Sequence, residues 1–341
     1  MKVDPVTSKK GVFLISEIGL NHNGDFATAE RMIRLSASAG ADAVKFQTYN
    51  PDKMYSIYCK SLLETGREDS PDKSIIDFFA KFCFSMNDLM RLKKIADESS
   101  IEFFSAPFDV ESVDILEKIN VSMYKVASSE VTHDRLLRKI ASTGKSVIMS
   151  TGFSGENEID QAVDMFDASK LSLLHCVSLY PLDKKDAHLS RIIALNERYG
   201  RKTGFSDHSP DTILAEYAVV AGATIIEKHF TISRDFECPD GNVSITPEQM
   251  AHLRKSIDDI YQIMGEKELI YGSDEEKVAK SARRSLFASR DIREGEIISE
   301  EDIIEKRPGT GIPANKWTMV IGKKALRNIS KDHMIRFEDI E

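Results

Sequence analysis

Two histidines and two lysines stand where packing alone does not explain them. His208 closes the short run Thr203–Ser206 plus Asp207, and His229 closes Ile225–Lys228. If those runs are neighbouring strands, the imidazoles are close enough to share one divalent metal. Neutral imidazole suits Mn, Fe, Co or Zn, and two protein ligands leave positions for water or substrate. The same spacing also suits two hydrogen-bonded core histidines.

Lys45 and Lys125 each interrupt an apolar run. A buried ammonium is costly without an anion beside it. Two of them facing one space predict a doubly negative group between them. Ser105, Ser128, Ser150 and Ser206 occupy equivalent run ends and could complete an oxyanion cage for phosphate or carboxylate. The alternative is that each lysine snorkels outward through the surrounding helices. Glu17, also at the end of an apolar run, fits a general base or a ligand of sugar hydroxyls; it fits equally a salt bridge to Lys45. Asn21-His22-Asn23-Gly24 alone reads as a turn, and Phe46, Phe103, Phe104 and Phe230 read as core.

The elements that must position these groups are legible. Eight runs read as strands: Val12–Ile18, Ala43–Thr48, Ile101–Ala106, Met123–Ala127, Ser146–Ser150, Leu171–Cys176, Thr203–Ser206 and Ile225–Phe230. They are mostly continuous apolar runs, the pattern of strands covered on both faces. Amphipathic segments lie between them: Ala27–Ala39, Asn87–Glu98, Val113–Ile119 with Asp109 or Ser112 as cap, Glu156–Phe166, Pro210–Ala221 and Thr246–Met264. Eight such units predict an α/β fold, a (β/α)8 TIM barrel, over a doubly wound open sheet. In a barrel the strand ends carry the chemistry, and here nearly every strand end is polar. Met1–Met264 is the expected barrel. Gly265–Arg283 reads as a partly helical linker, and Arg284–Glu341 as a small domain of short strands and turns. Asn50–Ala80 is a long interruption of the kind that is functional or disordered.

Composition narrows the class. In 341 residues, 46 Lys and Arg against 55 Asp and Glu give a net charge of −9, which argues against a nucleic-acid partner. The 41% apolar content is that of a globular chain, and no run approaches the length of a membrane span. The leading residues do not read as a signal peptide, and the four cysteines are scattered, so a reducing cytoplasm is the expected compartment.

In order, the segments SEIGLNHNGD, ADAVKFQTY, FFSAPFD, YKVASSE, MSTG, LHCVSLYP, GFSDHS, IIEKHFT and KRPGTGI resemble the sialic acid synthase family. That family condenses phosphoenolpyruvate with an N-acetylated hexosamine to make nonulosonic acids. The C-terminal piece resembles its antifreeze-like (SAF) domain. The resemblance implies that His208 and His229 bind a divalent metal, Mn²⁺ first, with Mg²⁺ or Co²⁺ possible. It implies that Lys45, Lys125, Ser128, Ser150 and Ser206 surround phosphoenolpyruvate, with Ser178 standing where the family often has Asn. It further implies that Glu17 positions the sugar or moves a proton, and that Gln47, Glu130, Tyr180 and Asp240 contact the sugar. Arg307 would be sent by the small domain of one subunit into the barrel of the other, making a domain-swapped homodimer.

The chain departs from the family's pattern at Cys238 and Gly241, which flank Pro239-Asp240 where Gly and His are usual, and at Ala106, often Thr. The expected acceptor is open-chain N-acetylmannosamine, giving N-acetylneuraminate. The alternative is a 6-deoxy diacetamido hexose, giving legionaminate or pseudaminate. A metal-dependent barrel aldolase or isomerase would need neither the phosphate cage nor Arg307. A non-enzymatic ice- or glycan-binding module fits poorly with the charged C-terminal piece.

Overall fold

A computed structural model describes residues 5–6, 11–56, 58–59, 75–265 and 268–341. Much of the Asn50–Ala80 interruption, residues 57 and 60–74, lies outside the described residues. The chain divides into two compact units, Met1–Gly265 and Glu266–Glu341.

The first unit is a closed barrel of eight parallel strands in sequential order. They are β1 (Phe13–Gly19), β2 (Ala43–Thr48), β3 (Glu102–Pro107), β4 (Met123–Val126), β5 (Ser146–Ser150), β6 (Leu171–Cys176), β7 (Thr203–Asp207) and β8 (Ile225–His229). Each lies within a residue or two of the run that predicts it, and the open sheet is excluded because β1 pairs with both β2 and β8.

Strand side chains alternate with period two, so each strand has an inward and an outward set. Phe13, Ile15, Ala43, Phe104, Met123, Ile148, Leu174 and Ile225 form one apolar cluster inside the barrel. The intervening residues, among them Leu14, Val44, Phe103, Tyr124, Met149 and Phe205, join the surrounding helices in the main core.

Helices follow the strands, and several start with a side-chain cap. Asp25 accepts from the Thr28 amide at the head of Phe26–Ser38, and Asp109 from the Ser112 amide at the head of Val110–Lys118. Thr246 and Gln249 form a reciprocal capping box on Pro247–Met264. Four helices have no counterpart in the sequence reading: the short Pro51–Met54 and Ile75–Ala80, and the longer Asp134–Ser142 and Ser190–Tyr199. Asp134–Ser142 buries a clear apolar stripe of Leu136, Leu137 and Ile140, and Ser190–Tyr199 buries Ile192 and Leu195, so the periodic signal for both was present.

The second unit opens with a helix, Ser273–Ala282. It continues as an antiparallel pair, β9 (Ser285–Ala288) with β10 (Ile303–Lys306). Isolated bridges such as Ile292–Ile329 and Ile297–Lys324 complete it. Its core is a separate cluster built on Leu286, Ile298, Val320, Ile329 and Ile335. No helix among the described residues is long and apolar enough to cross a membrane.

Candidate active site at the barrel mouth

Two residues beyond the apolar cluster, on the same inward parity, the strands carry Glu17, Lys45, Ala106, Lys125, Ser150, Cys176, Ser206 and Glu227. All eight line one cavity of about 640 Å³. Neither lysine snorkels outward; Lys45 is 5% exposed and Lys125 2%. Gln47, Ser128, Ser178, Tyr180, His208, His229 and Asp240 line the same cavity.

The anion that the two lysines demand is partly supplied by the chain. Glu17 Oε2 lies 2.9 Å from Lys45 Nζ. Glu227 Oε1 lies 3.7 Å from each ammonium and accepts from the Ser206 hydroxyl at 2.9 Å. Lys125 Nζ donates to Ser150 Oγ at 2.7 Å. Glu227 Oε2 is buried without a hydrogen-bond partner. The salt-bridge reading of Glu17 is therefore realised, and Glu17 still faces the cavity.

Burial raises the Glu17 carboxyl to about 7, with Lys45 opposing and Glu227 adding to the rise. Glu227 is held below the usual carboxylate range: burial opposes this, but Lys125 and Lys45 outweigh it. Burial lowers Lys125 below the usual range and Lys45 adds to the fall, while Glu227, then Cys176 and Glu17, pull the other way. An arriving dianion would raise it again.

His208 and His229 follow directly on the register pair Asp207–Lys228, and their ring centroids are 5.4 Å apart. The Val177 carbonyl lies 3.0 Å from His208 Nδ1. A carbonyl only accepts, so Nδ1 carries the proton and Nε2 is free to donate its lone pair. Nε2 now meets the Tyr180 hydroxyl at 2.8 Å. His229 Nδ1 is buried with no hydrogen-bond partner, 3.6 Å from Asp240 Oδ2. Burial, then the charge of His208 and the lysines, keeps His229 neutral, its pKa well below the ordinary value. His229, neutral with an unsatisfied nitrogen, and His208, whose Nε2 meets the Tyr180 hydroxyl, fit a divalent metal that takes its other ligands from water and substrate. Among the described residues no group of three or more His, Cys, Asp or Glu side chains is arranged to hold one.

The two strands are also joined behind the histidines. Lys228 and Asp207 point away from the barrel interior, are fully buried, and pair at 3.0 Å. Lys228 donates to the Ser209 carbonyl as well, and Asp207 accepts from the Ser209 amide at 2.8 Å.

The turn motif Asn21-His22-Asn23-Gly24 has a positioning role. Asn21 donates to the Phe230 carbonyl at 2.9 Å and to Ser244 Oγ at 2.8 Å, and accepts from the Asp240 amide at 2.9 Å. It thus holds the loop that carries Asp240. Gly152 admits another close approach. A Cβ there would sit 2.4 Å from Ser178 Oγ and 2.8 Å from Ser128 Oγ, and its amide donates to Ser128 at 3.0 Å.

Two expected site residues of the barrel, Ser105 and Glu130, do not line the cavity. Ser105 lies on the outward parity of β3, where its hydroxyl bonds Thr48 Oγ1 at 2.8 Å; Ala106 faces the cavity instead. Glu130 turns to His133 Nδ1 at 2.8 Å, leaving Ser129 on the wall. Arg307 belongs to the second unit, is exposed, and forms no ion pair among the described residues. Conversely, Glu227 and Cys176 line the cavity without having been assigned a role. Period two from His229 and from Ser178 was the signal for both. Cys238 and Gly241 do not line the cavity; their neighbours Pro239, Asp240 and Asn242 do.

Comparison with known proteins agrees with this architecture. The NeuB family model matches residues 32–269 and the SAF domain model residues 283–341. The chain is 33% identical to the N,N'-diacetyllegionaminic acid synthase of Campylobacter jejuni, over 96% of this chain and 99% of that protein. It is 31% identical to the pseudaminic acid synthase of the same species, over 100% of both. A crystal structure of the N-acetylneuraminic acid synthetase of Leptospira borgpetersenii superposes with a TM-score of 0.71 at 35% identity, covering 78% of this chain and 90% of that one. The barrel with its polar mouth, the small C-terminal unit and these matches lead to one conclusion: the chain belongs to the NeuB family and carries a C-terminal SAF domain.

Proposed function

We propose that the chain is an enzyme that joins phosphoenolpyruvate to an open-chain acetamido hexose, forming a nonulosonic acid and releasing phosphate. The observation that carries this is the meeting, in one cavity, of a buried two-lysine cage with two strand-end imidazoles. The acceptor we favour is a 6-deoxy diacetamido hexose, as the names of the legionaminic and pseudaminic acid synthases suggest. N-acetylmannosamine, the first expectation from sequence, is the second reading, supported by the Leptospira synthetase.

His208 and His229 would hold the divalent metal, Mn²⁺ first, which when bound supplies Lewis-acid polarisation of the acceptor's aldehyde. Lys45 and Lys125, with Ser128, Ser150 and Ser206, hold the phosphate and carboxylate of the donor, while Ser178 borders the same space. The enol carbon of phosphoenolpyruvate forms the new bond to C1 of the acceptor, water adds at the enol ether carbon, and the bond from that carbon to the phosphate oxygen breaks. The two ammoniums stabilise the charge that gathers on the departing phosphate. Glu17, its carboxyl near 7, is placed to take the proton of the entering water and return it to the new hydroxyl. Tyr180, Gln47 and Asp240 orient the acceptor's hydroxyls. Arg307 is read as reaching the acetamido oxygen from the small unit of a second subunit. The test is phosphate release from phosphoenolpyruvate with Mn²⁺ and each of the two acceptors. Phosphate release with neither would reject the reading.

A further inference from the structure

Opposite the charged floor, the cavity has a wall of a different kind. Leu20, Met54, Tyr55, Ile75, Phe79 and Phe108 line it, and only Tyr55 among them carries a polar side-chain atom. Four of them, Leu20, Met54, Phe79 and Phe108, belong to a satellite cluster rather than to the main barrel core. Leu20 is buried there with Tyr49 and Phe82, and Met54, Phe79 and Phe108 pack against these three. Tyr55 stacks on Phe79 with ring centroids 5.0 Å apart. Met54, Tyr55, Phe79 and Phe108 are only half-buried, so their remaining apolar faces look into the cavity. Apolar surface held open in a cavity whose other side is charged marks the half of a ligand that brings no hydrogen bonds.

We infer that this wall selects an acceptor whose distal half carries methyl groups, and that Met54 and Phe108 are specificity-determining residues. The inference rests on the condensation reading above. The acceptor's C1 must meet the donor's enol carbon beside the two histidines, so its far end points away from the lysine floor toward the mouth. A hydroxymethyl group pressed on that wall gives up water and finds no partner. A methyl at C6 and an acetamido methyl instead leave water for apolar contact. Wall chemistry of this kind discriminates against one added hydroxyl by about 10–100-fold.

The experiment compares 2,4-diacetamido-2,4,6-trideoxymannose with N-acetylmannosamine as acceptors, with the full-length protein, Mn²⁺ and phosphoenolpyruvate, reading phosphate release. The wild type is expected to favour the deoxy acceptor in kcat/KM by about 10-fold or more. Met54→Gln and Phe108→Tyr each place a polar group on the wall with little change of shape. Each is expected to narrow that preference by about five-fold, through KM for the deoxy acceptor, with KM for phosphoenolpyruvate unchanged. Equal use of both acceptors by the wild type, or variants that shift both acceptors alike, would overturn the inference while leaving the condensation standing. Absence of phosphate release with either acceptor would overturn the condensation itself, and the inference with it.

Discussion

The barrel interior holds two layers built by the same strands on the same parity, and they could hardly differ more. The lower layer is dry and apolar, with Ile15, Phe104, Ile148, Leu174 and Ile225 all at 0% exposure. The upper layer, two residues further along each strand, holds two carboxyl groups and two amines linked in a chain of contacts under 4 Å, Glu17 to Lys45 to Glu227 to Lys125. Backbone geometry is common to both, so the difference lies wholly in side-chain choice. The lower layer contributes stability through burial. The upper layer confines charges that water would solvate better, a cost that only a ligand recovers. Substitutions should therefore separate cleanly by layer: above, they change turnover; below, they change folding.

The largest effect is expected at the top of the upper layer. Removing metal with a chelator, or replacing His229 with Ala, should lower phosphate release by about a thousand-fold, the several kcal/mol that Lewis-acid polarisation supplies. Added Mn²⁺ should restore the chelated wild type but not the variant. Full turnover by metal-stripped His229→Ala protein would remove the histidine pair from the chemistry.

Next comes a matched pair across the layers. Lys125→Met should raise KM for phosphoenolpyruvate by about 10–100-fold, the value of a charge-assisted contact, and leave KM for the sugar nearly unchanged. Ile148→Ala, one layer below, should instead cost about 2–5 kcal/mol in denaturant unfolding and leave both KM values near wild type. If Ile148→Ala altered KM as much as Lys125→Met, the two layers would not be functionally distinct.

A smaller loss, about ten-fold in sugar turnover, is expected for Arg307→Ala, the value of one charge-assisted hydrogen bond. Mixed dimers of Arg307→Ala and His208→Ala subunits should regain part of the activity, since one site in each then has both groups intact. No recovery in verified mixed dimers would assign Arg307 to its own subunit's site or to none.

The smallest effect is in pH dependence. Glu17 keeps its proton to about pH 7 in the folded chain but loses it near 4.5 when unfolded. The folded state therefore binds more protons between those values, and stability from this group falls as pH rises from about 4.5 to about 7. Glu227 has the opposite sign: its depressed pKa adds stability above the unfolded value, and that is lost as pH falls through the folded one. Glu17→Gln should flatten the slope of the unfolding midpoint between pH 5 and 7, and an unchanged slope would assign it to another group.

Most of the fold was legible because fully covered strands write themselves as continuous apolar runs. The polar strand ends then pointed to the mouth. Parity was the step at which residue type alone misled. Ser105 has the right chemistry at a strand end but sits on the outward set, one residue from the cavity-facing Ala106. Glu227 has the right chemistry on the inward set, two residues before His229, yet the histidines drew the notice. Glu130 was lost differently: a histidine three positions on captures its carboxylate, a local contact that strand position does not predict. For the apolar wall the sequence offers only that Asn50–Ala80 is a long interruption of the functional or disordered kind, because the side chains converge from separate segments and share no period.

The Lys228–Asp207 pair behind the two histidines has a consequence for metal choice. It clamps β7 to β8 one residue before the imidazoles, on the face opposite the site, so the distance between the two ring nitrogens is fixed from outside the coordination sphere. Ions differ in the bond lengths and angles they tolerate. If His208 and His229 hold the divalent ion proposed above, a shortened or weakened clamp, as in Lys228→Met, would therefore retune which ions they prefer without touching either imidazole.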